Sequence, residues 1–236
     1  MTTVERSTPA ADRSRSSTRG VIGSAQLRKE DDRLLRGDGR FTDDVEPAHL
    51  LHMAVGRCPY PHARIVRVDT SAAEGLPGVK HVLVGADVRG ATEPLGVLRP
   101  VPGAPQLPYY ALAQDVATHE GQPVVSVVAT SRHVAEDALE LIDVDYEPLP
   151  HVVDVLAALE PGAPVLHPSV LDSNLLAANS DGSGDPEARM CEADVVVEGR
   201  FRINRVTALP METRAVVAEW RPGARELTVH LSLIHI

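Results

Sequence analysis

Aromatic residues are scarce in this sequence: Phe, Trp and Tyr together make up 3% of its 236 residues. Any core must therefore be built from Val, Leu, Ala and Ile. Cysteine is scarcer still, with only Cys58 and Cys191. Two thiols cannot supply the four ligands of an iron–sulfur cluster or of a Cys-rich zinc site. They also exclude a small disulfide-framed scaffold. One Cys58–Cys191 bridge is compatible with the count; two unpaired thiols in a reducing cytoplasm are the expectation. No run approaches the roughly 18 apolar residues of a membrane span, so no membrane association is expected. The N-terminus has charges but no apolar stretch, so it does not read as a secretory signal. Its Ser/Thr/Arg/Pro bias predicts a disordered tail over residues 1–20. A transit peptide shares that bias, but Glu5 and Asp12 count against it.

Positive charge is also in deficit. The 23 Lys and Arg face 33 Asp and Glu, a net charge of −10. Nucleic-acid binding rests on neutralising phosphates, so no nucleic-acid partner is expected. Such a charge suits a soluble protein. Hydrophobic residues at 43% and charged residues at 24% are ordinary globular usage. The length fits one to two domains at roughly 150 residues each.

Local patterns predict the elements. Residues 50–57, 63–69 and 79–85 read as strands, with a short helix over 70–76 that Thr70 or Ser71 can cap. Residues 86–113 are rich in Pro and Gly and form a long excursion, a kind that is more often functional or interface-forming than decorative. Residues 122–130 (QPVVSVVAT) are a near-continuous apolar run, as for a strand buried on both faces. Ser131 is a natural N-cap for a helix over 131–141, with Val134, Ala138 and Leu141 on one stripe. Residues 142–146 alternate and return as a strand, so strand, helix and strand make a β-α-β unit. A short helix is expected over 152–159. Residues 161–185 have linker composition. Residues 194–206, 215–221 and 226–231 read as three strands, the last two a hairpin turned at Arg221-Pro222-Gly223-Ala224.

The chemistry-bearing residues are sparse in pattern. Of ten histidines, no two sit at the i, i+4 spacing of a metal-binding helix. His49 and His52 lead into a strand and would face opposite ways. His62, between prolines and a strand, reads as a structural hydrogen-bonder. No metal ligand is assigned. Asp143 and Asp145 share a strand face and could hold a cation or form an acid/base couple, but the expected role is a solvated outer face. There is no Gly-X-Ser-X-Gly elbow, no dinucleotide fingerprint and no complete phosphate loop at Gly37-Asp38-Gly39.

Six segments, taken in order, resemble the large, molybdenum-cofactor-binding subunit of the xanthine dehydrogenase/aldehyde oxidase/carbon monoxide dehydrogenase family. They are the Gly37, Gly39, Phe41 and Asp44 opening and Arg57-Cys58-Pro59-Tyr60-Pro61-His62-Ala63-Arg64-Ile65. Next come Leu76-Pro77-Gly78-Val79 and Glu120-Gly121-Gln122-Pro123-Val124. The last two are Asp143-Val144-Asp145-Tyr146-Glu147-Pro148-Leu149-Pro150 and Pro210-Met211-Glu212-Thr213. Phe41 stands for the usual Tyr, Cys58 for Ser and Pro61 for Ala.

The resemblance implies an α+β chain: a hammerhead α/β domain over residues 21–156, then the beginning of a mixed α+β molybdenum-cofactor-binding domain over 157–236. It implies an oxidoreductase that hydroxylates an aldehyde, purine or other N-heterocycle, or oxidises CO, with water as oxygen source. The metal is held by molybdopterin sulfurs, so a Cys-poor chain is no objection. It further implies an iron–sulfur small subunit, an FAD medium subunit, a small-molecule substrate and a cytoplasmic location. After Leu231-Ser232 the family shows Thr-Gln, whereas this sequence reads Leu233-Ile234-His235-Ile236. The family's general-base Glu lies far downstream. The expectation is therefore a truncated chain, inactive alone and binding no cofactor alone, with no catalytic residue and Glu212 as the single cofactor-contact candidate. A non-catalytic hammerhead-fold docking module is the alternative.

Overall fold

The structure, a computed structural model, describes residues 24–96, 101–180, 182–204, 206–207, 209 and 213–231. The expected tail over residues 1–20, the candidate Glu212 and the closing Leu233-Ile234-His235-Ile236 lie outside the described residues. In chain order the helices and strands are α1 (Asp31–Leu35), β1 (His52–Arg57), β2 (Ala63–Asp69), α2 (Ser71–Glu74), β3 (Val79–Val84) and α3 (Gly85–Val88). There follow β4 (Val116–Ala117), β5 (Pro123–Ala129), α4 (Arg132–Glu140), β6 (Asp143–Pro148), α5 (Pro186–Glu192), β7 (Val216–Arg221) and β8 (Glu226–Leu231). The chain divides into two units: Ala48–Arg205, and Met1–Pro47 with Val206–Ile236.

The Ala48–Arg205 unit holds two antiparallel three-stranded sheets, ordered β1-β5-β3 and β4-β2-β6. The valine-rich strand sits at the centre of the first sheet, and Val124, Val125, Ser126 and Val127 are all buried. Helix α4 begins where the N-cap predicts: the Ser131 Oγ accepts a hydrogen bond from the Val134 amide at 3.3 Å. Its Ala135 and Ala138 pack on Val127 and Ala129 of β5 and on Ala73 of α2. Leu141, expected on that stripe, is instead exposed at the helix end.

β5, α4 and β6 follow one another as expected, but they do not form a βαβ unit within one sheet. β5 already has β1 on one side and β3 on the other, so no edge is free to take β6. The chain crosses to the second sheet, where β6 pairs antiparallel with β2, Ile65 opposite Tyr146 and Asp69 opposite Asp143. Residues of both sheets then close one core: Cys58, Ala63, Ala113, Ala117 and Val124, with Ile65, Val68, Val144 and Tyr146 packed against them.

The approach of β1 to β5 depends on a missing side chain. A Cβ on Gly56 would lie 2.6 Å from the Val125 Cγ1. Val125 is 3% exposed, and Val125→Ala should cost about 1–3 kcal/mol through lost burial and the cavity left behind. Urea denaturation followed by circular dichroism measures this, and unchanged stability would contradict a buried β5.

Residues 194–204 carry no strand, against expectation. Their Val195, Val197, Phe201 and Ile203 are 76–91% exposed. Alternating apolar residues make a strand only against a ladder partner and a covering face, and neither is present among the described residues. The expected helix over 152–159 is a single 3-10 turn at Ala157–Leu159. The hairpin of the other unit forms as expected, β7 pairing with β8 from Val216 opposite Leu231 to Arg221 opposite Glu226.

Candidate functional site

Three motif segments converge in the Ala48–Arg205 unit. Pro59 and Pro61 prevent residues 58–62 from joining a ladder, and this connection wraps against the turn at 120–122 instead. The Cys58 amide donates to the Gln122 carbonyl at 2.9 Å, and the Gly121 amide donates to the Cys58 carbonyl at 2.8 Å. The buried Gln122 side chain returns the support: its Oε1 accepts from the Thr118 amide at 2.6 Å and the Thr118 hydroxyl at 3.1 Å. Arg57 Nη1 donates to the Gly121 carbonyl at 2.9 Å.

The third segment closes from the other side. The Leu149 amide donates to the His62 carbonyl at 2.9 Å, and the His62 Nδ1 lies 2.7 Å from the Pro150 carbonyl. A carbonyl only accepts, so Nδ1 carries the proton. His62 is buried and serves as the structural hydrogen-bonder its sequence position implies. Tyr60 meets Tyr146 edge-on with ring centroids 5.6 Å apart. Burial first, then the nearby Cys58 and Tyr60, pushes the Tyr146 hydroxyl up to about 12. Burial is also the main cause that pushes the Cys58 thiol up, which makes it a poor nucleophile. Cys58 and Cys191 are both free thiols.

The paired carboxylates are likewise structural. Arg67 spans three of them: Nε donates to Asp145, Nη1 to Asp69 and Nη2 to Asp143, each at 2.9 Å. All four side chains are exposed, where ion pairs contribute little. This is the solvated outer face expected, and its carboxylates are engaged by a cation. Among the described residues no group of three or more His, Cys, Asp and Glu is arranged to hold a metal.

A cavity of about 450 Å³ lies beside this junction. His62 and Gln122 line it from the motif segments, Tyr109 and Leu112 from the Pro-rich excursion, and Leu166 and His167 from the segment that reads as linker. A second cavity of about 250 Å³ shares Leu166 and His167 as its wall and adds His151 and Asn174. His167 is half-buried, and its imidazolium is disfavoured by burial first and by His62 second. Sequence reasoning singled out His62 but not Asn174 or His167, because both lie among Pro, Gly, Asn and Ser and act only through contacts with remote residues. No local signal marks them. The sequence candidate Glu212 lies outside the described residues.

No helix among the described residues is long and apolar enough to cross a membrane. Residues 36–150 match the aldehyde oxidase and xanthine dehydrogenase a/b hammerhead domain, and residues 166–236 match the molybdopterin cofactor-binding domain. The sequence is 36% identical over 220 residues to the nicotine 6-hydroxylase large subunit of Paenarthrobacter nicotinovorans, covering 92% of this chain and 27% of that one. It is 36% identical to the carbon monoxide dehydrogenase large chain of Afipia carboxidovorans, covering 88% of this chain and 27% of that one. The crystal structure of quinoline 2-oxidoreductase from Pseudomonas putida 86 superposes with a TM-score of 0.79 at 38% identity, over 89% of this chain and 26% of that one. The chain thus spans about a quarter of the length of the relatives it matches. The two domain matches in sequence, the antiparallel sheets they fold into and the likeness to large subunits together place the chain in the xanthine dehydrogenase/aldehyde oxidase/carbon monoxide dehydrogenase family, corresponding to part of its molybdopterin-binding large subunit.

Proposed function

We propose that this chain supplies the hammerhead domain, over residues 21–156, and the opening of the first molybdopterin-binding domain, over residues 157–236, of a molybdenum hydroxylase large subunit. The enzyme is an oxidoreductase that hydroxylates an aldehyde, purine or other N-heterocycle, or oxidises CO, with water as oxygen source. Electrons leave through an iron–sulfur small subunit and an FAD medium subunit, and the complex is cytoplasmic. The observation that carries this reading is the order of two domain matches on one chain, residues 36–150 and then 166–236. Three of the hammerhead motif segments support it by their use: they meet where the two sheets of the Ala48–Arg205 unit join.

The described residues do not by themselves fit a molybdopterin. Such a group is polar, large and enclosed, and needs walls on most sides. The β7–β8 hairpin instead leaves Val216, Trp220, Leu227 and Leu231 at least half exposed. No chemical step is therefore assigned to these residues. Glu212, in Pro210-Met211-Glu212-Thr213, is the proposed cofactor contact. A chimera tests the reading: this chain joined to the rest of the Afipia carboxidovorans large chain and produced with that enzyme's other subunits. It should carry molybdenum and oxidise CO, and Glu212→Ala in that chimera should lower its molybdenum content. A folded chimera without molybdenum would contradict the proposal.

A further inference from the structure

Residues 194–204 have the pattern of a strand that nothing else among the described residues completes. Val195, Val197, Gly199, Phe201 and Ile203 alternate with Val196, Glu198, Arg200 and Arg202. An extended backbone puts the first set on one face and the charges on the other. The Phe201 ring leans over Gly199, where a Cβ would lie 3.1 Å from its Cζ, so these two positions share a side, as residues two apart do in a strand. Every residue of the run is exposed. Among the described residues no backbone hydrogen bond joins it to another part of the chain. An alternating run with open N–H and C=O groups is a template for strand addition.

We propose that these residues are a docking strand for a second copy of this chain, the two strands pairing antiparallel about a two-fold axis at Gly199. A two-fold contact is self-complementary: where residue i meets j, j meets i. Centred on Gly199, the pairing sets Glu198 opposite the partner's Arg200, and Arg200 opposite the partner's Glu198. It sets Val197 opposite the partner's Phe201 and Val195 opposite the partner's Ile203. Opposite charges, and an aromatic with a β-branched side chain, are favourable cross-strand pairs. The apolar sets of both copies then share one face of the ribbon. Arg202 falls opposite the partner's Val196 and keeps its reach to Asp154, 3.8 Å away. At the axis, Gly199 lets the two backbones approach with no opposing side chains.

The order of charges selects this register. A slide of two residues one way puts Arg200 opposite the partner's Arg200, and a slide the other way puts Glu198 opposite the partner's Glu198. Like charges directly opposite are destabilising. A slide of one residue sets Val197 opposite the partner's Arg202 and splits the apolar sets between the two faces. The charge complementarity of the run is thus with itself, which makes a second copy the occupant.

Sedimentation equilibrium of the 236-residue chain tests this, and it needs no cofactor or other subunit, so its failure would leave the functional reading untouched. The chain should form a concentration-dependent dimer. Glu198→Arg should weaken that dimer about tenfold, because both attractive pairs become like-charge pairs. Glu198→Arg combined with Arg200→Glu should restore it, since each pair is again of opposite sign. In a Cys191→Ser chain, Gly199→Cys should oxidise to a disulfide-linked dimer. Arg202→Cys should not, because antiparallel pairing carries the two copies of that position apart. A chain that stays monomeric at every concentration would overturn the proposal. So would a dimer that both charge variants leave unchanged, which would belong to the 216–231 hairpin. Amides of 195–203 protected from exchange only when the chain is joined to the rest of a large subunit would overturn it too, assigning the strand to that occupant.

Discussion

Gly85→Ala is expected to cost the Ala48–Arg205 unit more than about 3 kcal/mol, above the usual range for overpacking. Gly85 follows β3 directly and is buried. A Cβ there would overlap the Ala113 carbonyl oxygen and lie 2.7 Å from the Gln114 Cα. Both obstacles are backbone, so no side-chain rotation relieves them. Their displacement would also pull Ala113 out of the core that it shares with Cys58, Ala63, Ala117 and Val124. Ala113 is tied to β5 besides, its amide donating to the Pro123 carbonyl at 2.8 Å. Gly96→Ala is the control, because a Cβ there meets nothing within 4 Å. It should be neutral, or stabilising by a few tenths of a kcal/mol through reduced freedom of the unfolded chain. Urea midpoints of the two variants check this, and a Gly85→Ala chain as stable as the Gly96→Ala chain would contradict the packing described.

Much of the local structure could be read directly from residue pattern. β2 runs over Ala63–Asp69, the span its apolar centre and flanking charges imply. β5 and α4 could be read because two independent signals agree there: a continuous valine run and a Ser131 cap. α5 has a comparable signal. Asp185 accepts from the Ala188 amide at 3.0 Å and Pro186 occupies the first turn, a capping arrangement hidden within linker-like composition.

What pattern could not supply is partnership. The division into two sheets follows from β5 having neighbours on both sides, which no single segment encodes. The apolar alternation at 194–204 predicts a strand but finds no ladder partner among the described residues. The cavity site depends on His62, residues between 108 and 122 and the segment at 165–169 meeting in space. The motif residues carry the family resemblance, and in the structure Cys58, Gln122, Tyr146 and Pro150 meet at one junction.

The second large effect is a loss of metal and turnover. Produced alone in a host that makes the molybdenum cofactor, residues 1–236 should carry far less than one molybdenum per chain. They should show no dye-linked oxidation of aldehydes, purines or nicotine-like heterocycles. The physical ground is enclosure. A cofactor with many polar atoms is retained where donors and acceptors converge from several sides and exclude water. The β7–β8 hairpin presents exposed Val216, Trp220 and Leu227 instead. Two paired strands with no further partner among the described residues are also marginal by themselves and prone to pair with other chains, so association through the 216–231 hairpin should accompany the loss.

Molybdenum per polypeptide, measured by metal analysis on the purified 236-residue chain, tests the central claim most directly: that these residues contribute a framework to a cofactor site which they do not complete. The account predicts a content far below stoichiometric and no turnover; near-stoichiometric molybdenum with turnover would contradict it.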